Sequence, residues 1–512
     1  MKVEIRKNKL YVTFKYNPSL ISAIREIPGR RWNPNTKEWI IPDTPTARRM
    51  LKNLGFNIPN DEKPKIQVKF PEYLLPFQKD GVKFLLERNG RGLIADEMGL
   101  GKTLQAITYV TITNTFPALV VCPATLKWNW AAEIQKWTKY RDIAILEGRK
   151  PVYFTPPKFT IINYDIVAGW FPTLQKMEFK TIIMDESHYI KNPKANRTRA
   201  VVELARKIPH IIALTGTPII NRPIEIFPTL NLLEPTIFKS RWGFAKRYCA
   251  LHHNGFGWVM NGSSNEEELH ELLKNTVMIR RTKNEVLSQL PKKFHTVIPV
   301  DIDLSKYNEM VQKLVTMYGI SHKVTGNILS QIAQMRHEIG IRKIPLVVKW
   351  IEDFRDANPN GKLVLFGWHK VVLAEIAKRF RNHTVVITGD TPGGIRHQYV
   401  QKFQNDPNTW LFVGSIRATN VGITLTAANT VVFAEMGWTP SEHDQAEDRV
   451  HRIGQDRGVN VYFIVARGTI DEYMAEIVDC KRTTISQIID GKEENPEAII
   501  TELLQRVIHE RV

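Results

Sequence analysis

A glycine turn at Ala95-Asp96-Glu97-Met98-Gly99-Leu100-Gly101-Lys102-Thr103 constrains this chain more than any other stretch. It follows the short apolar run Gly92-Leu93-Ile94 and leads into the helical pattern Thr103–Thr113, so strand, loop and helix succeed one another. That order is the geometry of a phosphate cradle. Gly99 and Gly101 let backbone N–H groups approach oxygens, and the new helix points its positive end at them. Lys102 is expected to reach terminal phosphates, and Thr103 to offer a hydroxyl to Mg²⁺. The general pattern asks for glycine where this chain has Asp96. An ordinary Gly-rich turn is the competing reading.

Charge narrows the partner. The 512 residues carry a formal net charge of +19, which points to a polyanion, nucleic acid first. The length implies a few domains with large cores. Cys122, Cys249 and Cys480 are far apart, so neither a disulfide framework nor a zinc knuckle is expected. Met1–Arg6 lacks the apolar core of a signal peptide, and no apolar run is long enough to span a bilayer. The expectation is a soluble intracellular protein with no membrane partner, in cytoplasm or nucleoid, in the nucleus if eukaryotic, or in the host cell if viral.

Residues 1–65 read as a small α+β domain. Val3, Ile5 and Leu10–Phe14 alternate as strands, Pro18–Ile27 is helical, and Trp32–Ile41 is a hairpin turning at Pro34-Asn35. Residues 1–64 hold 13 Lys and Arg against 6 Asp and Glu, and Arg30, Arg31 and Lys37 flank Trp32 and Trp39. Either these residues grip a nucleic-acid backbone and stack on bases, or both tryptophans are core. Asn60–Pro64 would be the linker.

Residues 66–235 alternate apolar strands with helical patterns, the strands being Gly92–Asp96, Leu119–Pro123, Thr160–Asp165, Thr181–Asp185 and His210–Thr215. That rhythm predicts a parallel sheet covered by helices. Residues 236–345 read as mostly helical and polar, with a break at Pro291. The α/β rhythm returns over 346–483, with strands at Leu363–Gly367, Thr384–Thr388, Trp410–Ser415, Thr430–Glu435 and Asn460–Ala466. The tail, 484–512, has apolar residues at helical spacing and is expected to pack on the second block.

Three further stretches carry chemistry. Ile182–His188 ends a buried strand with Asp185 and Glu186, where one carboxylate can hold Mg²⁺ and the other polarise water. A strand end with a helix cap is the alternative. Leu214–Pro218 offers Thr215 and Thr217, which with His188 and Gln445 would couple the site to another surface, or it is a plain turn. In Gln445–Gln455, Arg449 and Arg452 are three apart, and their spacing predicts one helical face. They reach a phosphoryl group, or they form a salt-bridge face with Glu447 and Asp448.

Together these motifs resemble the Snf2 family of superfamily 2 DNA translocases, over about residues 70–480. The resemblance extends to Pro123–Trp130, Asn163-Tyr164-Asp165, Leu365–Lys370 and Ser415–Ala428. It implies two RecA-like lobes with helical insertions, ATP and Mg²⁺ as ligands, and duplex DNA as partner. It makes Gln78 the adenine reader and Asp96 part of the family's own phosphate loop. Arg449 and Arg452 become arginine fingers, and Thr125, Lys127 and Arg396 become contacts to one strand's backbone. Val432–Glu435 with Trp438 is similar to annealing-helicase, fork-remodelling members, and residues 14–39 resemble a reduced HARP domain that would recognise forked or branched DNA. Thr439 stands where Asn is usual, and Ser415-Ile416-Arg417 replaces a Ser-Thr-Arg form. A motor that displaces DNA-bound proteins or serves a restriction or defence complex is the second expectation, and a non-hydrolysing DNA clamp the third. No protein partner is indicated.

Overall fold

The computed structural model describes residues 1–476, apart from 7–8, 28, 60–67, 217, 219–221, 254–256, 261, 288, 322–325 and 420–422. The expected linker, Thr217, Cys480 and the expected tail helix lie outside the described residues. The chain divides into two compact units, Met1–Val286 and Leu287 onward. Among the described residues no helix is long and apolar enough to cross a membrane.

The first unit opens with a four-stranded antiparallel sheet in the order Lys2–Arg6, Lys9–Thr13, Glu38–Pro42, Arg31–Asn33. Two helices pack on it, Pro18–Arg25 and Pro45–Asn53. Each starts with a proline preset for the first turn and a capping side chain, Asn17 or Thr44, that accepts backbone N–H groups. Trp32 and Trp39 are register partners with ring centroids 5.3 Å apart. Trp39 joins the core with Leu10, Val12, Ile24 and Ile41, whereas Trp32 is 44% exposed. Sitting on the edge strand, Trp32 lies against Trp39 and keeps solvent access. The expectation that both tryptophans are core holds for Trp39 and not for Trp32. Lys9 fixes the module to the rest of the unit through Glu234 at 3.0 Å and the Thr236 hydroxyl at 2.9 Å.

The main sheet of this unit is parallel. Its order is Met278–Ile279, Arg91–Ile94, His210–Leu214, Thr181–Asp185, Ala118–Cys122, Phe159–Asn163, Ile143–Ile145. The Ala118, Phe159 and Thr181 strands are buried along their whole length, as continuous apolar runs covered on both faces should be. The carboxyl ends of neighbouring strands therefore deliver residues 95–103, 185–188 and 215–216 to one rim.

The stretch 236–345 is not purely helical. Met278–Ile279 extends the first sheet, and Lys293–Val300 pairs in parallel with Val459–Ala466 in the second unit. The first is too short to show a period, and the second is an exposed edge strand that mixes polar with apolar residues.

In the second unit a six-stranded parallel sheet runs Lys293–Val300, Val459–Ala466, Thr430–Phe433, Leu363–Gly367, Leu411–Ser415, Thr384–Ile387. The long helix Gly326–Ala357 packs against it. Lys343 on this helix is only 1% exposed; its ammonium donates to the Ile464 carbonyl at 2.9 Å and to the Asp471 carboxylate. Removing one partner of a buried pair strands the other charge in a low dielectric. Lys343→Met is therefore expected to destabilise this unit by about 3–5 kcal/mol, read as a lower denaturant midpoint with protection from hydrogen exchange lost first along 459–466.

Candidate functional site

The loop between Ile94 and Lys102 is shaped by two glycines in the left-handed region, Gly99 at φ +85° and Gly101 at φ +75°. Gly101 has a second constraint: a Cβ there would meet the Gln78 side-chain nitrogen at 2.5 Å. Gln78 lies in the first turn of the helix Pro76–Glu87 and is 3% exposed. Its Oε1 accepts the Leu75 N–H at 3.1 Å, and its Nε2 donates to the Leu100 carbonyl at 3.2 Å. Gln78 thus caps its own helix and holds the loop at the same time.

Asp96, expected among the nucleotide contacts, is instead the anchor beneath the loop. It is wholly buried, with Arg281 Nε at 2.8 Å from Oδ1 and Arg281 Nη2 at 2.5 Å from Oδ2. Gln105 Nε2 donates to the same carboxylate at 2.9 Å. The Arg281 guanidinium also donates to the Phe77 carbonyl and, at 3.0 Å, to Gln105 Oε1. One planar cation therefore ties together the loop, the helix before it and the helix after it. Backbone pairing puts it there: Leu93, Ala95 and Glu97 N–H donate to the carbonyls of Val277, Ile279 and Arg281 at 2.7, 2.7 and 2.9 Å. Gly81 is fixed by the same cluster, because a Cβ would lie 1.8 Å from Gln105 Oε1 and 2.9 Å from Arg281 Nη2.

Lys102 opens the helix Lys102–Thr113, and its ammonium folds back onto the loop, donating to Asp96 O at 2.7 Å and Glu97 O at 3.3 Å. Thr103 follows it in the first turn. Two strands away, Asp185 ends its strand 8% exposed. Its Oδ2 accepts Trp130 Nε1–H at 2.7 Å, and its Oδ1 accepts the Glu186 N–H at 3.0 Å. Burial first, and the neighbouring Glu186 charge second, push its pKa up to about 6; the Trp130 donor and the Lys102 charge oppose this. The Tyr164 hydroxyl donates to the Asp185 carbonyl at 2.8 Å and fixes the strand end.

Glu186 stands at φ +49°, a left-handed backbone uncommon outside glycine. Its Oε2 accepts the Thr215 hydroxyl at 3.4 Å and lies 3.3 Å from His188 Nδ1, which is itself 3.4 Å from that hydroxyl. Glu186, His188 and Thr215 are thus brought together as a group. A Cβ on Gly216 would meet Met98 at 2.8 Å, so the 215–216 turn closes on the phosphate loop.

Several expected contacts fall elsewhere. Lys127 is 7% exposed and spends its ammonium on the Leu146 carbonyl at 2.9 Å, with Glu147 at 3.5 Å. Arg396 is 4% exposed and donates to Ala418 O at 2.7 Å and Thr388 O at 3.2 Å. Both are interior braces, so neither is a surface contact to a DNA backbone. Thr125 is half-buried, with its hydroxyl oxygen shielded from solvent. Arg30, Arg31 and Trp32 are exposed, and Trp39 is not.

Arg449 and Arg452 do not share a helical face. The helix Pro440–Glu447, which carries Gln445 half-buried, ends before them. The N–H groups of Val450 and His451 both return to Glu447 O at 2.9 Å, and Gly454 completes the bend at φ +97°. The arginines meet another segment instead: Arg452 Nη1 donates to Ile423 O at 3.1 Å and Thr424 Oγ1 at 2.9 Å, while Arg449 O accepts Leu425 N–H at 2.8 Å. Glu447 is met by Lys293 and His295, each at 3.0 Å.

Arg281, Gln105 and the indole of Trp130 as an Asp185 donor are the functional residues that sequence reasoning missed. The pair Arg280-Arg281 directly after the apolar run Val277-Met278-Ile279 was the signal for the first.

Residues 77–341 match the SNF2-related domain, and residues 342–454 match the helicase conserved C-terminal domain. DNA annealing helicase and endonuclease ZRANB3 of Homo sapiens is 37% identical over 447 residues, covering 83% of this chain and 41% of that protein. The SWI/SNF-related matrix-associated actin-dependent regulator of chromatin subfamily A-like protein 1 homolog of Caenorhabditis elegans is 33% identical over 528 residues, covering 93% of this chain and 74% of that protein. The chain spans less than half the length of the ZRANB3 relatives it matches. The Sulfolobus solfataricus SWI2/SNF2 ATPase core in complex with dsDNA aligns at 26% identity and a TM-score of 0.41, covering 88% of this chain and 99% of that one.

Arg281→Ala leaves Asp96 buried and uncompensated. The expected result is a loss of about 3–5 kcal/mol in the first unit, with faster hydrogen exchange over residues 95–103. Unchanged exchange there would mean the loop is held by something else.

Proposed function

The chain belongs to the SNF2-related family, and we propose that it is an ATP-driven translocase on duplex DNA, of the kind that re-anneals strands or remodels forks. The observation that carries this reading is the rim where Lys102, Asp185 and the Glu186–His188–Thr215 group meet at the ends of adjacent strands.

Each group has a task suited to its surroundings. Gly99 and Gly101 expose backbone N–H groups to phosphate oxygens, and Lys102 transfers its ammonium from the Asp96 and Glu97 carbonyls to the terminal phosphates. The Thr103 hydroxyl and the Asp185 carboxylate are hard oxygen donors that suit Mg²⁺, which would neutralise charge on the phosphate oxygens. Asp185 meets this task with one hydrogen-bond donor on each oxygen, so lone pairs remain. Glu186 orients the attacking water and accepts its proton, with the Thr215 hydroxyl and His188 fixing its carboxylate. Arg449 and Arg452 are proposed to stabilise charge on the transferring phosphoryl group. Gln78 acts through the loop it holds, and the adenine contact is proposed for it on family resemblance alone.

DNA enters the proposal through the charge of +19 and the annealing-helicase names of the relatives. Backbone contacts make binding independent of sequence and steeply salt-dependent. The exposed Arg31 and Trp32 of the N-terminal module are proposed as the fork-reading surface.

ATP hydrolysis measured with duplex, single-stranded and forked DNA tests the reading. The full chain is expected to be stimulated by duplex-containing DNA, and Lys102→Ala or Glu186→Gln to lose that stimulation by about 10²-fold or more. A Lys102→Ala protein that still hydrolyses ATP in response to DNA would refute the motor. Arg31→Ala with Trp32→Ala should erase the preference for forks over plain duplex while ATP hydrolysis without DNA continues.

A further inference from the structure

The helix Arg241–Tyr248 and the short strand pair His252–His253 with Trp258–Val259 form a surface that the motor chemistry does not use. The helix buries Phe244, Ala245 and Tyr248 in the core of the first unit, which turns Trp242 outward at 45% exposure. The strand pair brings Trp258, 56% exposed, against it: the ring centroids are 5.1 Å apart at 84°. The exposed His253 completes the group, its ring 5.3 Å from Trp258. Single exposed aromatics are ordinary, but three joined through Trp258 mark a contact site.

Charge identifies the class of ligand. From Lys239 to Asn265 the sequence contains four Lys and Arg and no Asp or Glu. Arg247 is taken up by Glu268 at 2.5 Å, but Lys239, Arg241 and Lys246 are exposed. Arg241 Nη1 lies 3.5 Å from Met260 Sδ, which fixes that cation beside the strand pair. Glu266 and Glu267 begin the next helix and bound the cationic stretch. Exposed aromatic rings among cations suit bases and phosphates of an unpaired strand; a duplex backbone would need the cations alone. The neighbouring N-terminal module meets the same region, since a Cβ on Gly29 would come within 3.1 Å of Ile237.

We propose that Trp242, Trp258 and His253, rimmed by Lys239, Arg241 and Lys246, form a single-stranded DNA contact on which unpaired bases stack. The proposal rests on the reading of the chain as a DNA motor. It adds a second site that holds the strand displaced or awaiting pairing.

The experiment uses the full chain and a fluorescent oligothymidine, with binding followed by anisotropy and duplex-stimulated ATP hydrolysis measured in parallel. Trp242→Ala with Trp258→Ala is expected to weaken oligothymidine binding by about tenfold or more, and Trp→Phe at both positions to restore most of it. Arg241→Glu with Lys246→Glu should weaken binding and flatten its salt dependence. Duplex-stimulated hydrolysis should persist in all three. Oligothymidine affinity equal to wild type in the double alanine protein, or loss that phenylalanine does not rescue, would overturn the stacking site. A wild-type chain that no DNA stimulates would instead overturn the motor reading.

Discussion

The geometry of the phosphate loop depends on one buried ion pair. Asp96 and Arg281 are 185 positions apart, yet the carboxylate is bound by two guanidinium nitrogens and by Gln105. A buried charge pair is stabilising only when the geometry is good and the remaining polar groups are satisfied. Both conditions hold, because the same guanidinium also reaches the carbonyl of Phe77 and the oxygen of Gln105. The pair therefore fixes three elements relative to one another: the helix ahead of the loop, the loop itself and the helix it opens. Gly81 and Gly101 are small because this cluster and Gln78 occupy the space.

This arrangement explains why an aspartate stands where the general phosphate loop has glycine. Glycine serves a loop that needs only backbone freedom. Here the first loop position holds a charge that returns to the end of the first unit, so the strand pairing of 277–281 and the shape of the nucleotide site are parts of one structure. A change near Arg281 would reach the phosphate loop without touching it.

Much of the fold was legible because its strands are buried on both faces. Runs such as Leu119-Val120-Val121 and Ile182-Ile183-Met184 announce themselves by composition, and the carboxyl ends of Arg91–Ile94 and Thr181–Asp185 place the loop and the carboxylate pair on one rim. The edge strand Lys293–Val300 was not legible: it mixes Lys, His, Thr and Pro with its apolar residues because one side meets solvent, whereas the apolar edge Thr384–Ile387 was read. Long-range partners were equally silent. Nothing local in Lys127 or Arg396 tells that interior carbonyls claim their donors, and the i, i+3 spacing of Arg449 and Arg452 suggests a helix that Glu447 has already ended. Position along the chain showed where chemistry gathers, whereas hydrogen-bond partners decided what each cation does there.

The back-folded ammonium of Lys102 has a consequence for how the site fills. That side chain is held by two carbonyl oxygens of its own loop. On the proposed reading, an arriving triphosphate competes with this internal surrogate rather than meeting a bare cation. Affinity becomes the difference between two sets of oxygen contacts to the same nitrogen. On the proposed reading, the carbonyls of Asp96 and Glu97 reclaim the lysine as product leaves, a built-in rival for the charge that held the phosphate.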